Sequence, residues 1–580
     1  MRPKSELRAH ARTVARKTLI GLTAIALLVP ASAVSAAAPV KVIVQTRVGQ
    51  MAPVIRSARD LGASIDRTGI PGLFVAELPI GAVAALESVQ SVVAVSPDRS
   101  VGLASVDNAP ASKDLGQLRS VAAAIGATTY WNAGFTGQGV DVALIDSGVA
   151  PVRGIAIGDK LIYGPDLSFE SQDPSLLHID TFGHGTHMAG IIAGSDKNDG
   201  DAAISAENKF VGIAPDSRIV SLKVADAFGT TDVSQIIAAI GWVIRFGDRD
   251  GLNVRVLNLS FGTDSAIGYQ HDPLAFAAER AWKKGIVVVV SGGNTETGQI
   301  GLSDPAYDPY VIAVGATTRN GTETRTDDTV ADFSRRGDGN RNPDLVAPGR
   351  SILSLRVPNS YIDQENPDAR VGDTPRLFVG SGTSQASAVV AGAAALVLSR
   401  NPNLSPDKVK ALLKRTAYDL GQPAAAQGAG LIDLNAAYSF GNVANYEQGW
   451  QQADAEGGLG QSRGGDTLTR GGERLTGSKN IFGLWIGKNA IERMLSGSGD
   501  AVDELTNGQG WIKTNAWDGR QWTVGLWDGR QWTGRQWTGR QWTVGDWTGR
   551  QWTGDAWSGR QWTSGGWDGR QWTEIGRAHV

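Results

Sequence analysis

Apolar runs and helical patterns alternate regularly between residues 120 and 440. Five near-continuous apolar runs have the length and composition of strands that are buried on both faces of a parallel sheet. They lie at 139–146, 218–224, 254–261, 286–293 and 310–317. Between them, residues 231–247 and 273–285 carry the spacing of amphipathic helices. The pattern predicts an α/β fold, with an open, doubly wound, mainly parallel sheet and helices on both faces. Such sheets bind ligands at the carboxyl ends of their strands.

A shorter alternation precedes this region. Residues 39–104 predict a small, separate α+β unit. Its predicted elements are a strand at 40–46, a helix at 51–63, a strand at 73–79, a helix at 81–89 and a strand at 92–98.

Both ends of the chain carry sequence that does not belong to a folded domain. Residues 1–38 combine basic residues, an apolar run at 18–31 and small residues at 31–38, which are the three parts of a secretory signal peptide. The apolar run is shorter than the roughly 20 residues of a spanning helix, which disfavours the alternative of a membrane anchor. The mature chain is therefore predicted to be secreted, and to be extracellular or associated with the cell surface. Residues 574–580, EIGRAHV, match the translation of a common sequencing adapter and are predicted to be an artefact.

Two further segments follow the α/β region. Residues 441–510 are polar and rich in glycine, which predicts a linker. Residues 511–573 are repetitive, with twelve tryptophans at five-residue steps from Trp517 to Trp572 and seven copies of GRQWT. This spacing predicts short strands with turns, a chain that becomes ordered on binding, or a disordered low-complexity tail. We expect the tail to promote association with the cell envelope or with itself. We also expect a chain that ends near residue 445 to keep its catalytic activity.

Composition excludes several kinds of chemistry. The 580 residues have a formal net charge of −3, which argues against a nucleic-acid partner. The chain contains no cysteine, so disulfides, zinc–thiolate sites and a cysteine nucleophile are excluded. A nucleophile must therefore come from another residue type.

Four polar residues stand at the ends of predicted strands or near the starts of predicted helices. Asp146 ends a buried strand, and His184 opens a helix. Ser384 lies near the start of a second helix, and Asn294 follows a strand and two glycines. A serine hydroxyl becomes a nucleophile when a histidine takes its proton and a carboxylate orients that histidine, while an amide can donate to the oxyanion. Each motif alone also fits a turn or a helix cap, and a metal pair of His184 with His187 lacks a third ligand. The order Asp, His, Ser on successive parallel elements is specific for nucleophilic catalysis.

Over residues 120–440 the chain resembles the subtilisin-like serine peptidases, or subtilases. The resemblance is carried by DSG (146–148), GHGTHMAG (183–190), LNLSFG (257–262), SGGN (291–294), LVAPG (345–349) and GTSQASAVVAG (382–392). It implies that Ser384 is the nucleophile, His184 the general base and Asp146 the carboxylate that orients it. It also implies that Asn294 donates to the oxyanion together with the backbone N–H of Ser384. By the same resemblance His187 is a packing residue.

The resemblance also implies a substrate-binding edge and a zymogen. The implied binding residues are Ser260, Phe261, Gly262, Ser291, Gly292 and Gly293. None of them is acidic, so a strict preference for basic side chains is not indicated. Residues 39–104 resemble an inhibitory propeptide that is cut from the peptidase domain, residues 105–440, near Ala104–Ser105. The stretch 356–379 is additional to the family pattern.

These observations predict a secreted serine endopeptidase that hydrolyses peptide bonds through an acyl-enzyme intermediate. No cofactor is expected for catalysis. The loop 194–208 is rich in oxygen ligands and fits either a structural calcium site or a solvated acidic loop, and its sequence does not identify metal ligands. The expected partners are protein or peptide substrates, the chain's own propeptide as inhibitor and, through the tail, the cell envelope. The alternatives are a catalytically silent peptide-binding relative and a cell-envelope-associated structural protein. Casein hydrolysis that a serine-directed phosphonate stops would discriminate them.

Overall fold

The computed structural model describes most of residues 40–496 and five short strands of the tail. The described ranges are 40–46, 50–67, 73–97, 117–156, 160–172, 176–196, 210–294, 300–320, 324–371, 376–440, 443, 446–464, 469–470, 473–474, 476–480, 484–496, 523–524, 532–534, 542–544, 552–554 and 562–564. The predicted signal peptide, the predicted cut at Ala104–Ser105 and residues 574–580 lie outside these ranges.

A small antiparallel sheet forms the N-terminal unit. Its elements are β1 (Val40–Thr46), α1 (Met51–Asp60), β2 (Ser64–Arg67), β3 (Leu73–Leu78), α2 (Val83–Glu87) and β4 (Val92–Pro97). The strands pair in the order β2-β3-β1-β4 and enclose their own apolar core. The hydrophobic pattern of the sequence did not predict β2, because the segment SIDR contains a single apolar residue and shows no alternation of apolar and polar residues.

An eight-stranded sheet forms the centre of the molecule. Its strands are β5 (Asp141–Asp146), β6 (Leu161–Asp166), β7 (Arg218–Lys223), β8 (Val254–Leu259), β9 (Val287–Ser291), β10 (Ile312–Thr318), β11 (Thr329–Val330) and β12 (Leu345–Pro348). They run in the order β11-β10-β9-β8-β5-β7-β6, and β12 pairs with β10. The pairs are parallel apart from β10 with β11. The predicted α/β fold class and its five predicted strands are confirmed.

Helices pack around this sheet. They are α3 (Leu118–Ala124), α4 (Ala127–Asn132), α5 (His184–Ala193), α6 (Val233–Phe246), α7 (Pro273–Lys283), α8 (Tyr361–Glu365), α9 (Thr383–Arg400), α10 (Pro406–Arg415), α11 (Ala424–Gln427) and α12 (Leu434–Phe440). Helix α9 is buried over 383–398 and packs against α5, β8, β9, β10 and β12. Its small side chains permit this close approach, because alanine and glycine keep the helix surface near the strands. Among the described helices, none is both long and apolar enough to cross a membrane.

The additional stretch 356–379 and the residues that flank it form a second, small sheet. Its strands are β13 (Ile352–Leu355), β14 (Arg370–Val371) and β15 (Leu377–Gly380), which pair antiparallel in the order β13-β15-β14. Helix α8 lies within the same stretch, and β13 packs against α5. The extra residues therefore lie beside the helix that carries His184.

Residues 446–496, which we call the C-terminal strap, differ from the linker that the sequence predicts over 441–510. The strap contains α13 (Leu459–Ser462), β16 (Thr469–Arg470), β17 (Glu473–Arg474) and α14 (Lys488–Ser496). Helix α14 packs on α6 and α7 and buries Ile491, Met494 and Leu495 in the main core. Glycine-rich composition suggests a linker, but here the few apolar residues find partners on helices that lie far away in the sequence.

Short strands recur in the repetitive tail at ten-residue steps. They are β18 (Thr523–Val524), β19 (Trp532–Gly534), β20 (Trp542–Val544), β21 (Trp552–Gly554) and β22 (Trp562–Ser564). They pair parallel in two sets, β18-β20-β22 and β19-β21, so that residues twenty positions apart lie opposite each other, as Trp532 does to Trp552. The sequence left three alternatives for the tail: short strands with turns, order on binding, and disorder. The described tail residues form short strands.

Candidate active site

A buried aspartate–histidine pair lies at the carboxyl end of the central strand β5. Asp146 ends β5 and His184 begins α5, and His184 Nδ1 lies 2.7 Å from Asp146 Oδ1. Both side chains are at most 4% exposed. Burial lowers the pKa of His184, but the charge and hydrogen bond of Asp146 outweigh burial and raise the pKa above its ordinary value. The carboxylate thereby fixes the ring orientation and favours the protonated imidazole.

A second carboxylate holds the start of α5. Asp180 accepts hydrogen bonds from Gly183 N at 2.6 Å and from Thr186 N at 2.7 Å, so it satisfies N–H groups of the first turn. The Ser147 hydroxyl donates to Asp180 at 2.8 Å and lies 3.2 Å from Asp146 Oδ1. Sequence reasoning missed Asp180 and Ser147, although an aspartate just before a predicted helix is a recognisable cap signal.

Gly185 permits the close approach of α5 to β5. A Cβ atom at this position would lie 2.1 Å from the carbonyl oxygen of Gly148 and 3.2 Å from Asp146 Oδ1. A side chain would therefore push the helix away from the strand and lengthen the contact between Asp146 and His184. The glycine in GHGTH has a packing reason at this site.

Ser384 lies in the first turn of α9, where the positive end of the helix dipole faces the site. Its hydroxyl donates to the carbonyl oxygen of Ser260 at 3.4 Å, and its side chain is buried. Ser387 donates to the Ser384 carbonyl at 2.8 Å, one turn further along. The predicted nucleophile is thus next to the predicted substrate edge.

The side-chain amide of Asn294 is oriented by the start of α9. Asn294 Oδ1 accepts from Thr383 N at 2.9 Å and from Thr383 Oγ1 at 3.0 Å. These bonds direct Nδ2 to the other side, where a Cβ atom on Gly382 would lie 3.3 Å from Asn294 Nδ2 and 3.7 Å from Ser384 N. Asn294 Nδ2 and Ser384 N thus lie near one position beside Gly382, where Gln385 Oε1 would be 2.8 Å from the same Cβ atom. Two N–H donors at one position are what an oxyanion requires.

The predicted binding residues lie at the carboxyl ends of two neighbouring strands, β8 and β9. They are Ser260, Phe261 and Gly262 after β8, and Ser291, Gly292 and Gly293 at the end of β9. Asn258 donates to Ser260 Oγ at 2.9 Å, and Thr263 N donates to the Asp304 carbonyl at 3.1 Å. Both ends of the predicted edge are consequently anchored by hydrogen bonds.

A pocket lies beside His184. Its apolar walls include Leu355, Val357, Ile362 and Phe378, so the additional stretch 356–379 and its flanks build most of it. The residue after the serine, Gln385, also lines the pocket.

His187 also lines this pocket. It is buried, and burial followed by the charge of His184 lowers its pKa to about 3, so the ring is neutral at ordinary pH. The described residues contain no group of three or more His, Asp or Glu side chains that could hold a metal ion. The geometry agrees with a packing role for His187.

The predicted calcium loop, 194–208, lies mostly outside the described residues. Of its acidic residues the structure describes Asp196, which pairs with Arg376 and accepts from Phe210 N at 3.0 Å. Both carboxylate oxygens of Asp196 bond to the Arg376 guanidinium. A structural calcium ion in this loop stays a prediction.

Comparisons with known proteins match the same region. The family model described as the subtilase family matches residues 137–450. Serine protease AprX of Bacillus subtilis (strain 168) is 39% identical over 286 residues, which are 48% of this chain and 61% of that protein. Subtilisin Savinase of Lederbergia lenta is 33% identical over 308 residues, which are 53% of this chain and 93% of that protein.

One solved structure is matched as well. The crystal structure of fervidolysin from Fervidobacterium pennivorans, described as a keratinolytic enzyme related to subtilisin, is 23% identical with a TM-score of 0.42. The match covers 69% of this chain and 60% of the fervidolysin chain.

The chain spans about three fifths of the length of AprX and nearly all of the length of Savinase. Since the family model covers more than half of the chain, and includes every predicted catalytic residue, the chain belongs to the subtilase family.

Proposed function

We propose that this chain is a secreted serine endopeptidase with an Asp146–His184–Ser384 triad. The observation that carries the proposal is the buried 2.7 Å contact between His184 Nδ1 and Asp146 Oδ1. This contact leaves Nε2 as the ring nitrogen that can take a proton. The Asn294 amide beside Ser384 supports the same chemistry, because it offers the donor that a tetrahedral intermediate needs.

In the proposed reaction, Ser384 Oγ attacks the carbonyl carbon of the scissile bond while His184 takes the hydroxyl proton. Asn294 Nδ2 and the N–H of Ser384 stabilise the negative oxygen. His184 then gives its proton to the leaving amine, and a water molecule repeats the sequence to release the acyl group. Asp146 orients the ring and stabilises the imidazolium. The proposed reaction uses no cofactor.

The proposed substrate is an extended peptide that adds a strand along Ser260, Phe261 and Gly262. Ser291, Gly292 and Gly293 line the opposite side of the site for the side chain next to the scissile bond. The absence of an acidic residue among these six supports neutral or apolar side chains rather than basic ones. The pocket beside His184 would take the first side chain of the leaving half.

Export, maturation and attachment complete the proposal. Residues 1–38 direct secretion, and residues 39–104 act as a propeptide that is removed near Ala104–Ser105 and inhibits the mature enzyme. The separate core of the N-terminal unit supports the idea that it folds as a distinct inhibitor. The tryptophan-rich tail associates with the cell envelope.

The test is hydrolysis of casein by the full chain and by its Ser384→Ala variant. The variant should lose about 10⁶-fold in turnover, a magnitude taken from triad substitutions in subtilisin itself and not from this structure. Ser399→Ala, on the same helix but one residue before its end, should keep full activity. A variant at Ser384 that retains a tenth of the activity would remove the assignment. A folded wild-type chain that binds peptides without cutting them would favour the silent relative.

A further inference from the structure

The C-terminal strap runs beyond the region that the family model matches, which ends at residue 450. It does not only cover the surface of α6 and α7. Two consecutive residues at its centre, Ser462 and Arg463, are buried and bond to the domain at two different loops. The contacts of the strap matter for function because of where these two loops lie relative to Asp146 and His184.

The first loop is the end of the predicted substrate edge. Thr263, the residue after Gly262, donates through Oγ1 to the carbonyl oxygen of Ser462. Gly464 lies so close to the same loop that a Cβ atom there would be 1.8 Å from the carbonyl oxygen of Asp264. The strap backbone is therefore in direct contact with the residues that continue the edge.

The Ser462 hydroxyl adds further hydrogen bonds to the contact between the strap and this loop. It lies 3.0 Å from Asp272 Oδ1 and 3.1 Å from Asp304 Oδ2. Asp304 in turn forms two backbone hydrogen bonds with Thr263, at 3.1 and 2.9 Å. Ser462 thus fixes both the edge residue and the segment that the edge residue pairs with.

The second loop joins β7 to α6. Arg463 bonds to Asp232 through two nitrogens, at 2.6 and 3.0 Å, and both side chains are at most 2% exposed. Asp232 is the cap of α6 and also accepts from Ser234 N at 3.2 Å. A bidentate, buried ion pair holds geometry more firmly than an exposed one, because neither partner can exchange for water.

The sheet order places these two loops on either side of the catalytic pair. Strands β7 and β8 flank β5, which ends at Asp146, and all three are parallel, so their carboxyl ends lie along one edge of the sheet. The loop after β8 carries Ser260 to Thr263, and the loop after β7 ends at Asp232. Ser462 and Arg463 therefore connect the loop that carries the proposed substrate edge, after β8, with the loop after β7 on the other side of β5.

We infer that Ser462 and Arg463 are positioning residues for peptide binding, which set the spacing of the loops after β7 and β8. The inference rests on the proposed function of the Asp146–His184–Ser384 site, and it adds these two residues of the C-terminal strap to the groups that support substrate binding. A peptide long enough to pair with the edge depends on this spacing. A substrate with a single acyl residue does not, because it contacts only the catalytic groups and the first side-chain pocket.

The experiment compares two substrates in the full chain. One is a tetrapeptide p-nitroanilide, and the other is a p-nitrophenyl ester of the same last residue alone. Arg463→Met should raise KM for the tetrapeptide about tenfold, the usual size of coupling between two parts of one protein, and leave kcat/KM for the ester within about twofold of wild type. Active enzyme is counted with a fluorophosphonate that labels Ser384, so that loss of folded protein is not mistaken for weaker binding.

Two further variants separate positioning from stability. Asp232→Asn/Arg463→Met removes both charges and keeps a cap acceptor, so it avoids an unpaired buried carboxylate and should show the same selective rise in KM. Lys488→Met breaks the surface pair with Glu456 in the same strap and should leave both substrates unchanged. Equal losses on both substrates, or unchanged KM for the tetrapeptide in both Arg463 variants, would overturn the inference. A wild-type chain that cleaves neither substrate would instead overturn the proposed function.

Discussion

The orientation of Asn294 depends on one pair of hydrogen bonds. Thr383 donates to Asn294 Oδ1 through its backbone and its hydroxyl, which distinguishes the carbonyl end of the amide from the donor end. The space beside Gly382 then lies near Asn294 Nδ2, Ser384 N and the side-chain oxygen of Gln385. Two independent changes can test whether an oxyanion occupies that volume, one that removes a donor and one that fills the space.

Asn294→Leu should lower kcat by about 10²–10³-fold with little change in KM, because the hydrogen bond strengthens only as charge develops on the oxygen. Gly382→Ala should also lower kcat, since its methyl group would lie 3.3 Å from Asn294 Nδ2 and 2.8 Å from Gln385 Oε1. Steady-state kinetics on one peptide substrate measure both. Asn401→Leu, at the exposed end of α9, serves as the control. A rise in KM that accounts for the whole loss would contradict the oxyanion role.

The N-terminus of α5 carries His184, the proposed general base, and two carboxylates act on its pKa. Burial lowers the pKa of His184, whereas Asp146 and, more weakly, Asp180 raise it, and the net shift is upward. The base acts in its neutral form, so activity should fall as the pH drops through a pKa that lies above the ordinary value of about 6.5. Asp180 has a second role, because it holds the first turn of the helix.

Asp180→Asn should move the acidic limb of the kcat/KM profile to lower pH. The sign follows from the charge: removing a negative group near His184 destabilises the imidazolium and lowers its pKa. The pH profile of kcat/KM measures the shift, since it reports the free enzyme. Asp338→Asn removes a carboxylate at an exposed position and should leave the limb in place. An acidic limb that moves to higher pH in Asp180→Asn would contradict the assignment of His184 as the titrating base.

The boundary of the folded unit lies further along the chain than composition indicates. The strap contributes five large apolar side chains to the main core: Leu459, Ile486, Ile491, Met494 and Leu495. Each buried side chain of this kind stabilises the fold by about 1.5–3 kcal/mol. Their combined loss is comparable with the whole stability of a typical domain, which is about 5–15 kcal/mol. The structure therefore changes the expectation for a chain that ends near residue 445.

A chain that ends at residue 510 should keep its fold and the proposed peptidase activity, because it retains all of the strap that the structure describes, which runs to Ser496. A chain that ends at residue 445 should unfold at a much lower temperature or fail to fold, since the core beside α6 and α7 is exposed. Thermal unfolding followed by circular dichroism, together with casein hydrolysis, measures both. A stable and active chain that ends at 445 would show that the strap packs without contributing to the fold.

The parallel sheet and the candidate site could be predicted because their signals are local. Strands buried on both faces must be apolar throughout, and this requirement made β5, β7, β8, β9 and β10 visible as continuous runs. The proposed catalytic side chains stand at strand ends and helix starts, where short motifs with glycine and a few polar residues identify them. The roles of these residues stay predictions, but their assembly at one edge of the sheet follows from the parallel topology.

The remaining features depend on contacts between distant parts of the chain. Strand β2 exists because β3 offers it hydrogen bonds, although its own sequence is polar. Arg463 and Asp232 are 231 residues apart in the sequence, so no local pattern joins them. The strap has the composition of a linker, yet its few apolar residues are buried because α6 and α7 present a complementary surface. Burial is a property of the partner as well as of the segment, and the partner is defined only when the chain has folded.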